Sequence, residues 1–362
     1  MKYVSLYSGI GGLDYGFNYL KYELKFANDF HLDSCKTFSN YFDHEILNDD
    51  LNNVLNKVPK AELLIGGPPC QSFSLLGKRK PDDDRGKEVF NYLKVVEKMN
   101  PKIFIFENVP GISSSIIDDV KLTDFLKLSF EKLGYNVHLY KFDCTEYFIP
   151  QTRKRHIFFG WKNGIKSPKL PSLSEIRNTL KLPKDYVDTK VKDALSDLPY
   201  PKKQQDNLEY KKIPQSPYQK FMRLNSKNIS LHTKFHMSPL DKQYIEHIPP
   251  GGNYMNIPDS IASNRVKRIK KTGGRTTTYG RLHPNKYSAT INTYFNRPNV
   301  GTNYHYSQKR LITPREAMRI QSFPDDFSIE FKSIRSLCMQ IGNAVPPFLS
   351  IVLALMVKEM ND

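Results

Sequence analysis

Cysteine is scarce in this chain of 362 residues. Only Cys35, Cys70, Cys144 and Cys338 occur, and no two are spaced as CxxC. That spacing argues against the common zinc sites, and four cysteines in so long a chain do not form a disulfide framework. Reduced thiols and no metal site are expected. Long apolar runs are missing too. None approaches the roughly 20 residues of a membrane span. The opening MKYVSLYSGIGG is broken by glycines before a signal-peptide core can develop. A cytoplasmic protein with no membrane contact is expected. Acidic residues are in deficit, with 37 Asp and Glu against 54 Lys and Arg, a net charge of +17. The deficit is local: residues 1–160 are neutral, 161–280 carry +13 and 281–362 carry +4. A neutral first part followed by a basic segment suggests a catalytic part and a polyanion-binding part.

What is present organises accordingly. Residues 1–160 alternate strand-like stretches (KYVSLYS, LKFAND, AELLIGG, KIFIFENV, NVHLYKFD, RHIFFGW) with stretches of helical periodicity (GGLDYGFNYL, HLDSCKTFSNYF, KEVFNYLKVVEKM, LTDFLKLSFEKLGY). The alternation predicts an α/β fold, a Rossmann-like doubly wound, mostly parallel sheet. From about 163 to 280, prolines cluster and periodicity fades, which predicts a second, smaller irregular domain. TPREAMRIQSF and AVPPFLSIVLALMVKEM then return to helix. The expected organisation is 1–162 for catalysis, 163–280 for recognition, and 281–362 as a return segment completing the first domain.

Four stretches carry chemistry. In LYSGIGGLDYGF a glycine-rich turn joins strand to helix, where backbone can approach a ligand closely. Asp29 ends the next strand at a spacing suited to ribose, Phe30 is placed to lie against an adenine, and Asp50 to accept from its amino group. Together they point to an adenosine-containing cofactor, although a packing turn with surface acids gives the same pattern. In IGGPPCQSFS, Pro68 and Pro69 stop the strand and aim Cys70, which can be a nucleophile or an inert turn thiol. Cys35, Cys144 and Cys338 read as packing residues. Glu107 in FIFENVPG ends a strand of the same sheet, so it can share a pocket with Cys70; in an apolar setting it can be held protonated as a donor. In QTRKRHIFFG, Arg153 and Arg155 are two apart and would face one side of a strand, fit to bind a carbonyl oxygen or phosphate.

In this order, SGIGG, PPCQSFS, ENV, QTRKR and QIGNAVPP resemble the motif set of the DNA (cytosine-5) methyltransferases in its unpermuted arrangement. The resemblance covers about 1–160 and 281–355. It implies a class I fold using S-adenosyl-L-methionine and releasing S-adenosyl-L-homocysteine. Cys70 is then the nucleophile that adds to cytosine carbon 6. Glu107 contacts ring nitrogen 3 and the exocyclic amine, Arg155 the carbonyl oxygen, and Arg153 supports the Cys70 loop or a phosphate. The implied cofactor residues are Tyr7, Ser8, Gly9, Gly11, Gly12, Leu13, Asp29, Phe30, Asp50, Leu51, Pro68, Asn343 and Ala344. Tyr7 departs from the family's usual phenylalanine. The target base must leave the duplex stack, with Gln71 and Ser74 as candidates to hold it or fill its gap. The segment 163–280 sits where the family carries its target-recognition domain. NRVKRIKKTGGRTTTYGR, with Arg265, Arg268, Arg275 and Arg281, is the stretch expected to face DNA.

The implied partner is double-stranded DNA, bound by a monomer, with a cognate restriction endonuclease not stably associated. An RNA cytosine-5 methyltransferase would use the same chemistry and a basic face. A nucleic-acid-binding protein that has lost catalysis is a further alternative, opposed by the intact Cys70, Glu107 and paired arginines.

Overall fold

The first strand, β1 (Lys2–Leu6), runs apolar into the glycine turn and is followed by α1 (Asp14–Tyr19). The same beat repeats through β2 (Glu23–Asp29), α2 (Leu32–Phe42), β3 (Leu47–Asn48), α3 (Leu51–Val54), β4 (Leu63–Gly66), α4 (Lys87–Met99) and β5 (Ile103–Asn108). A two-residue hairpin, β6 (Ile116–Ile117) with β7 (Val120–Lys121), precedes α5 (Leu122–Lys132), β8 (Asn136–Asp143) and β9 (Lys154–Trp161). The structure is a computed structural model and describes residues 1–69, 87–117, 119–202 and 207–361.

The long strands form one seven-stranded sheet in the order β3-β2-β1-β4-β5-β9-β8. β1 to β5 pair in parallel, and β9 alone runs against its neighbours β5 and β8. This is the mostly parallel doubly wound sheet expected from the alternation. β4 and β5 are buried throughout, the pattern of strands covered on both faces. α4 turns Val89, Tyr92, Val96 and Met99 inward at helical spacing; with Phe130 of α5 they pack on Phe104 and Phe106 of β5. Strand order reverses at β1, between β2 and β4, so the crevice at their carboxyl ends is where such sheets bind ligands.

This sheet belongs to one compact unit made of residues 1–143, 154–172 and 347–362. Its last helix, α13 (Pro347–Asn361), lies against α1. Gly16 makes that possible: a Cβ there would sit 2.2 Å from the Ser350 carbonyl carbon. The Gly16 N–H donates to Ser350 Oγ at 2.8 Å, and the same hydroxyl donates to the Leu13 carbonyl.

The second unit comprises 144–153 and 173–346. It is irregular, as its prolines suggested. Among the described residues it holds the short helices α6 (Leu173–Thr179), α7 (Val191–Leu195), α8 (Pro217–Met222), α9 (Pro239–His247), α10 (Asn264–Thr272), α11 (Pro314–Ile320) and α12 (Ile334–Asn343) and one two-residue ladder, β10 (Leu208–Glu209) with β11 (Asn228–Ile229). One core gathers Tyr244, Ile248, Tyr254, Val266, Tyr304 and Leu311. Buried charge is paired: Arg319 sits between Asp197 and Asp325, and Arg310 forks onto Glu316. The unit boundaries differ from the sequence-based ones at 162/163 and 280/281. Residues 281–346 pack here because they bond to 230–252: Arg315 to Ser230, and Gly251 to Arg281. Only α13 (Pro347–Asn361) returns to the sheet. Over 334–361 the chain is long and apolar enough to cross a membrane, but α12 and α13 are separated at 344–346 and 83% of the most apolar window is buried.

Candidate active site

The glycine turn opens with a non-glycine residue in the left-handed region, Tyr7 at φ 54°, followed by Gly9 at 55° and Gly11 at 82°. Its floor is hydrogen-bonded to β2. Ser8 N–H donates to the Asn28 carbonyl at 3.1 Å, and the Ser8 hydroxyl turns inward onto Ser5 and Asn28. Asp29 locks the turn from the side: its Oδ2 accepts from Gly9 N–H and its Oδ1 from His31 N–H, both at 2.8 Å. Burial raises the Asp29 pKa, and these two N–H groups oppose the rise. Among the described residues nothing lies within 4 Å of the point a Gly9 Cβ would occupy. The cradle is therefore open.

Phe30 follows with its ring 69% exposed, and Asp50 caps α3, its Oδ1 accepting from Asn52 N–H at 2.8 Å. That bond, mainly, lowers the Asp50 pKa. Leu51 is buried beneath it. Gly11, Gly12 and Leu13 are buried in the turn leading to α1. An open backbone cradle, an exposed ring and two carboxylates at the ends of successive βα units fit an adenosine-bearing cofactor.

Two strands from β1, Glu107 of β5 and Arg155 of β9 form a buried ion pair, Nε to Oε1 at 2.6 Å. The contact is close but poorly directed as a hydrogen bond, because Arg155 Nε has no well-aligned acceptor. A guanidinium, rather than an apolar wall, is thus the neighbour of the Glu107 carboxyl group. Gly67 explains part of the GGPP motif. A Cβ there would fall 2.7 Å from Glu107 Oε2. Asn108 Nδ2 donates to the carbonyl of buried Pro68 at 3.0 Å. The approach to Cys70 is thereby fastened to the strand end that carries Glu107. Cys70, Gln71 and Ser74 themselves lie outside the described residues. Cys35, Cys144 and Cys338 are buried, and burial pushes the thiols of Cys35 and Cys338 up to about 12, as inert packing cysteines require.

The second unit holds the remaining candidates. Arg153 does not share a strand face with Arg155, because β9 begins only at Lys154. Its guanidinium donates to the carbonyls of Ile291 (3.1 Å) and Gly342 (2.8 Å). It braces the end of α12, where Asn343 is exposed and Ala344 half-buried. Arg265, Arg268 and Arg275 are exposed in and after α10. Arg281 is not available to DNA: it is 9% exposed and donates to the carbonyls of Ile248 and His305.

The model of the C-5 cytosine-specific DNA methylase family matches residues 1–358. The chain belongs to that family. It is 30% identical to the type II methyltransferase M1.HphI of Haemophilus parahaemolyticus, covering 100% of this chain and 87% of the relative. It is also 30% identical to M.MthTI of Methanothermobacter thermautotrophicus, over 99% of this chain and 97% of the relative. Among solved structures, the S. pombe Dnmt2 methyltransferase superposes with a TM-score of 0.65 at 15% identity, covering 100% of this chain and 99% of that one, a likeness of fold. The chain is thus a DNA (cytosine-5) methyltransferase of the type II kind.

Sequence reasoning about this methyltransferase missed Asn108, although ENV was read as a motif. Its signal was the position itself, one residue beyond Glu107 and on the opposite face of β5. It also missed Gln151, which is buried and bridges Ile291 N–H to the Ile320 carbonyl. Glu88 of α4, the partner of the Tyr7 hydroxyl, had no signal at all.

Proposed function

We propose that this methyltransferase uses S-adenosyl-L-methionine to methylate carbon 5 of a cytosine flipped out of duplex DNA, through a transient bond between Cys70 and carbon 6. The observation that carries the reading is the Glu107–Arg155 pair beside Gly67 and Pro68, the residues that lead into Cys70. Tyr7, Gly9, Gly11, Asp29, Phe30, Asp50 and Leu51 would hold the cofactor. When bound, the cofactor supplies an electrophilic methyl group.

The chain's own residues do the rest. Cytosine carbon 5 is a weak nucleophile. As the Cys70 thiolate adds to carbon 6, electron density passes to carbon 5 and the ring. Glu107 holds nitrogen 3 and the exocyclic amine, and Arg155 meets the carbonyl oxygen, so the charge that develops is offset where it appears. Once carbon 5 carries the methyl group, its proton goes to a base or water. The sulfur–carbon bond then breaks and the thiolate is regenerated. The first unit would do this chemistry and the second, with the basic α10, would recognise the DNA. The type II names of the relatives support modification paired with a separate restriction endonuclease.

A duplex carrying 5-fluorocytosine at the target tests the covalent step. Fluorine cannot leave as a proton, so with S-adenosyl-L-methionine the protein–DNA adduct should survive denaturation. Cys70→Ala should lose both the adduct and methyl transfer while still binding cofactor and DNA. Near-normal transfer by Cys70→Ala, or a peptide map placing the link on another cysteine, would overturn the reading.

A further inference from the structure

The Tyr7 hydroxyl does not face the open cradle. It donates to the Glu88 carboxylate at 2.7 Å and lies 3.0 Å from the Glu88 carbonyl, so it grips the first turn of α4. The backbone of Tyr7 is equally constrained. At φ 54° it occupies a conformation that costs a side-chain-bearing residue energy and persists only where surroundings enforce it. The next residue, Ser8, is bonded to β2, and the Tyr7 ring packs on the core under the sheet. Both ends of the tyrosine are therefore held. Asn91 Nδ2 adds a weaker contact to the same Glu88 oxygen at 3.3 Å. Asp50 lies near enough to act electrostatically on the phenol, and Lys87, beside Glu88, acts on Asp50. The start of α4, the cap of α3 and the glycine turn thus meet around one ring. Burial first, then Glu88, keep the phenol protonated and so a permanent donor.

We propose that Tyr7 and Glu88 are a positioning pair for the cofactor: their bond holds the start of α4 against the glycine turn and presets the ring that closes over the adenosine. A ring already fixed in its bound orientation loses little freedom when ligand arrives, and that raises affinity. A phenylalanine at this position could make no such bond, so the hydroxyl alone supplies the tie to α4. The inference rests on the cofactor reading above.

Calorimetry with S-adenosyl-L-homocysteine tests it. Tyr7→Phe should weaken binding about three- to tenfold, and Glu88→Ala by a similar factor. The double variant should be no weaker than the poorer single one, because the two remove one interaction. Glu88→Gln, which keeps an acceptor, should recover most of the affinity. In turnover, KM for the methyl donor should rise by a larger factor than kcat falls. In the ligand-free protein, amides at Lys87–Asn91 should exchange with deuterium faster in Tyr7→Phe. Unchanged affinity in Tyr7→Phe, or losses that simply multiply in the double variant, would overturn the pair. A wild-type protein that does not bind S-adenosyl-L-homocysteine at all would instead overturn the cofactor reading.

Discussion

At the scale of single residues, buried polar groups decide most. Asp14 is fully buried at the start of α1, and neither carboxylate oxygen has a well-directed partner, although Tyr3 and Ser5 lean toward it. Burial holds its carboxyl up at about 7, from an ordinary 3.8. A carboxyl whose pKa is raised by folding binds its proton more tightly in the native state. The stability it contributes is complete at acid pH and is lost as pH rises toward 7. The loss is on the order of a few kcal/mol. Asp14→Asn has no proton to lose, so its stability relative to wild type should improve between pH 5 and pH 8. A gap of constant size in denaturant titrations across that range would refute this. Gly67 is decided by contact. In Gly67→Ala the new methyl group meets Glu107 Oε2, the carboxylate must shift from Arg155, and methyl transfer should fall by about a hundredfold. Affinity for S-adenosyl-L-homocysteine should hold, because Gly67 takes no part in the glycine turn. Transfer at the wild-type rate would mean that Glu107 moves without consequence.

At the scale of elements, α10 offers a clean contrast within nine residues. Arg265, Lys267, Arg268 and Lys271 are exposed, while Lys270 is tied to Asp259 at 2.7 Å and to the Ile257 carbonyl. Only the exposed set is available to phosphates. Replacing these four by glutamine should lower the salt dependence of DNA binding by about one unit for each phosphate contact removed. Lys270→Gln should leave that slope alone. Equal slopes in all variants would remove α10 from the DNA interface. The α1–α13 contact predicts the opposite kind of sensitivity. Gly16→Ala drives a methyl group into the Ser350 backbone and should lower stability by about 1–3 kcal/mol, read as a fall in Tm. An unchanged Tm would mean that the two helices can separate at little cost.

At the scale of the whole molecule, the sheet was legible in the sequence because local pattern and burial agree there. NVHLYKFD and KEVFNYLKVVEKM became β8 and α4 residue for residue. The second unit was legible only as a change of texture. Its helices run to ten residues at most, and its order comes from long-range side-chain bonds such as Arg319 to Asp197 and Asp325, which no local window contains. The site shows the same split. Asp29, Phe30, Asp50 and Glu107 stand at or just past strand ends, where spacing makes them candidates. Arg281 was misjudged because an arginine bonding carbonyls looks, in sequence, like an arginine offered to a phosphate, and Arg153 was placed on a strand that begins one residue later. Asn108 was passed over because the partner it holds, the Pro68 carbonyl, belongs to backbone 40 positions away.

The contact between α1 and α13 also bears on how the protein is made. α1 leaves the ribosome long before the surface it needs, which belongs to residues 347–361. At about 5–20 residues per second, its partner follows roughly 15–70 s later. Until then Gly16 and Leu13 lack the serine that ties them down, and the neighbouring glycine turn lacks that support. Methylation would therefore wait for α13, however early the strands of the sheet assemble.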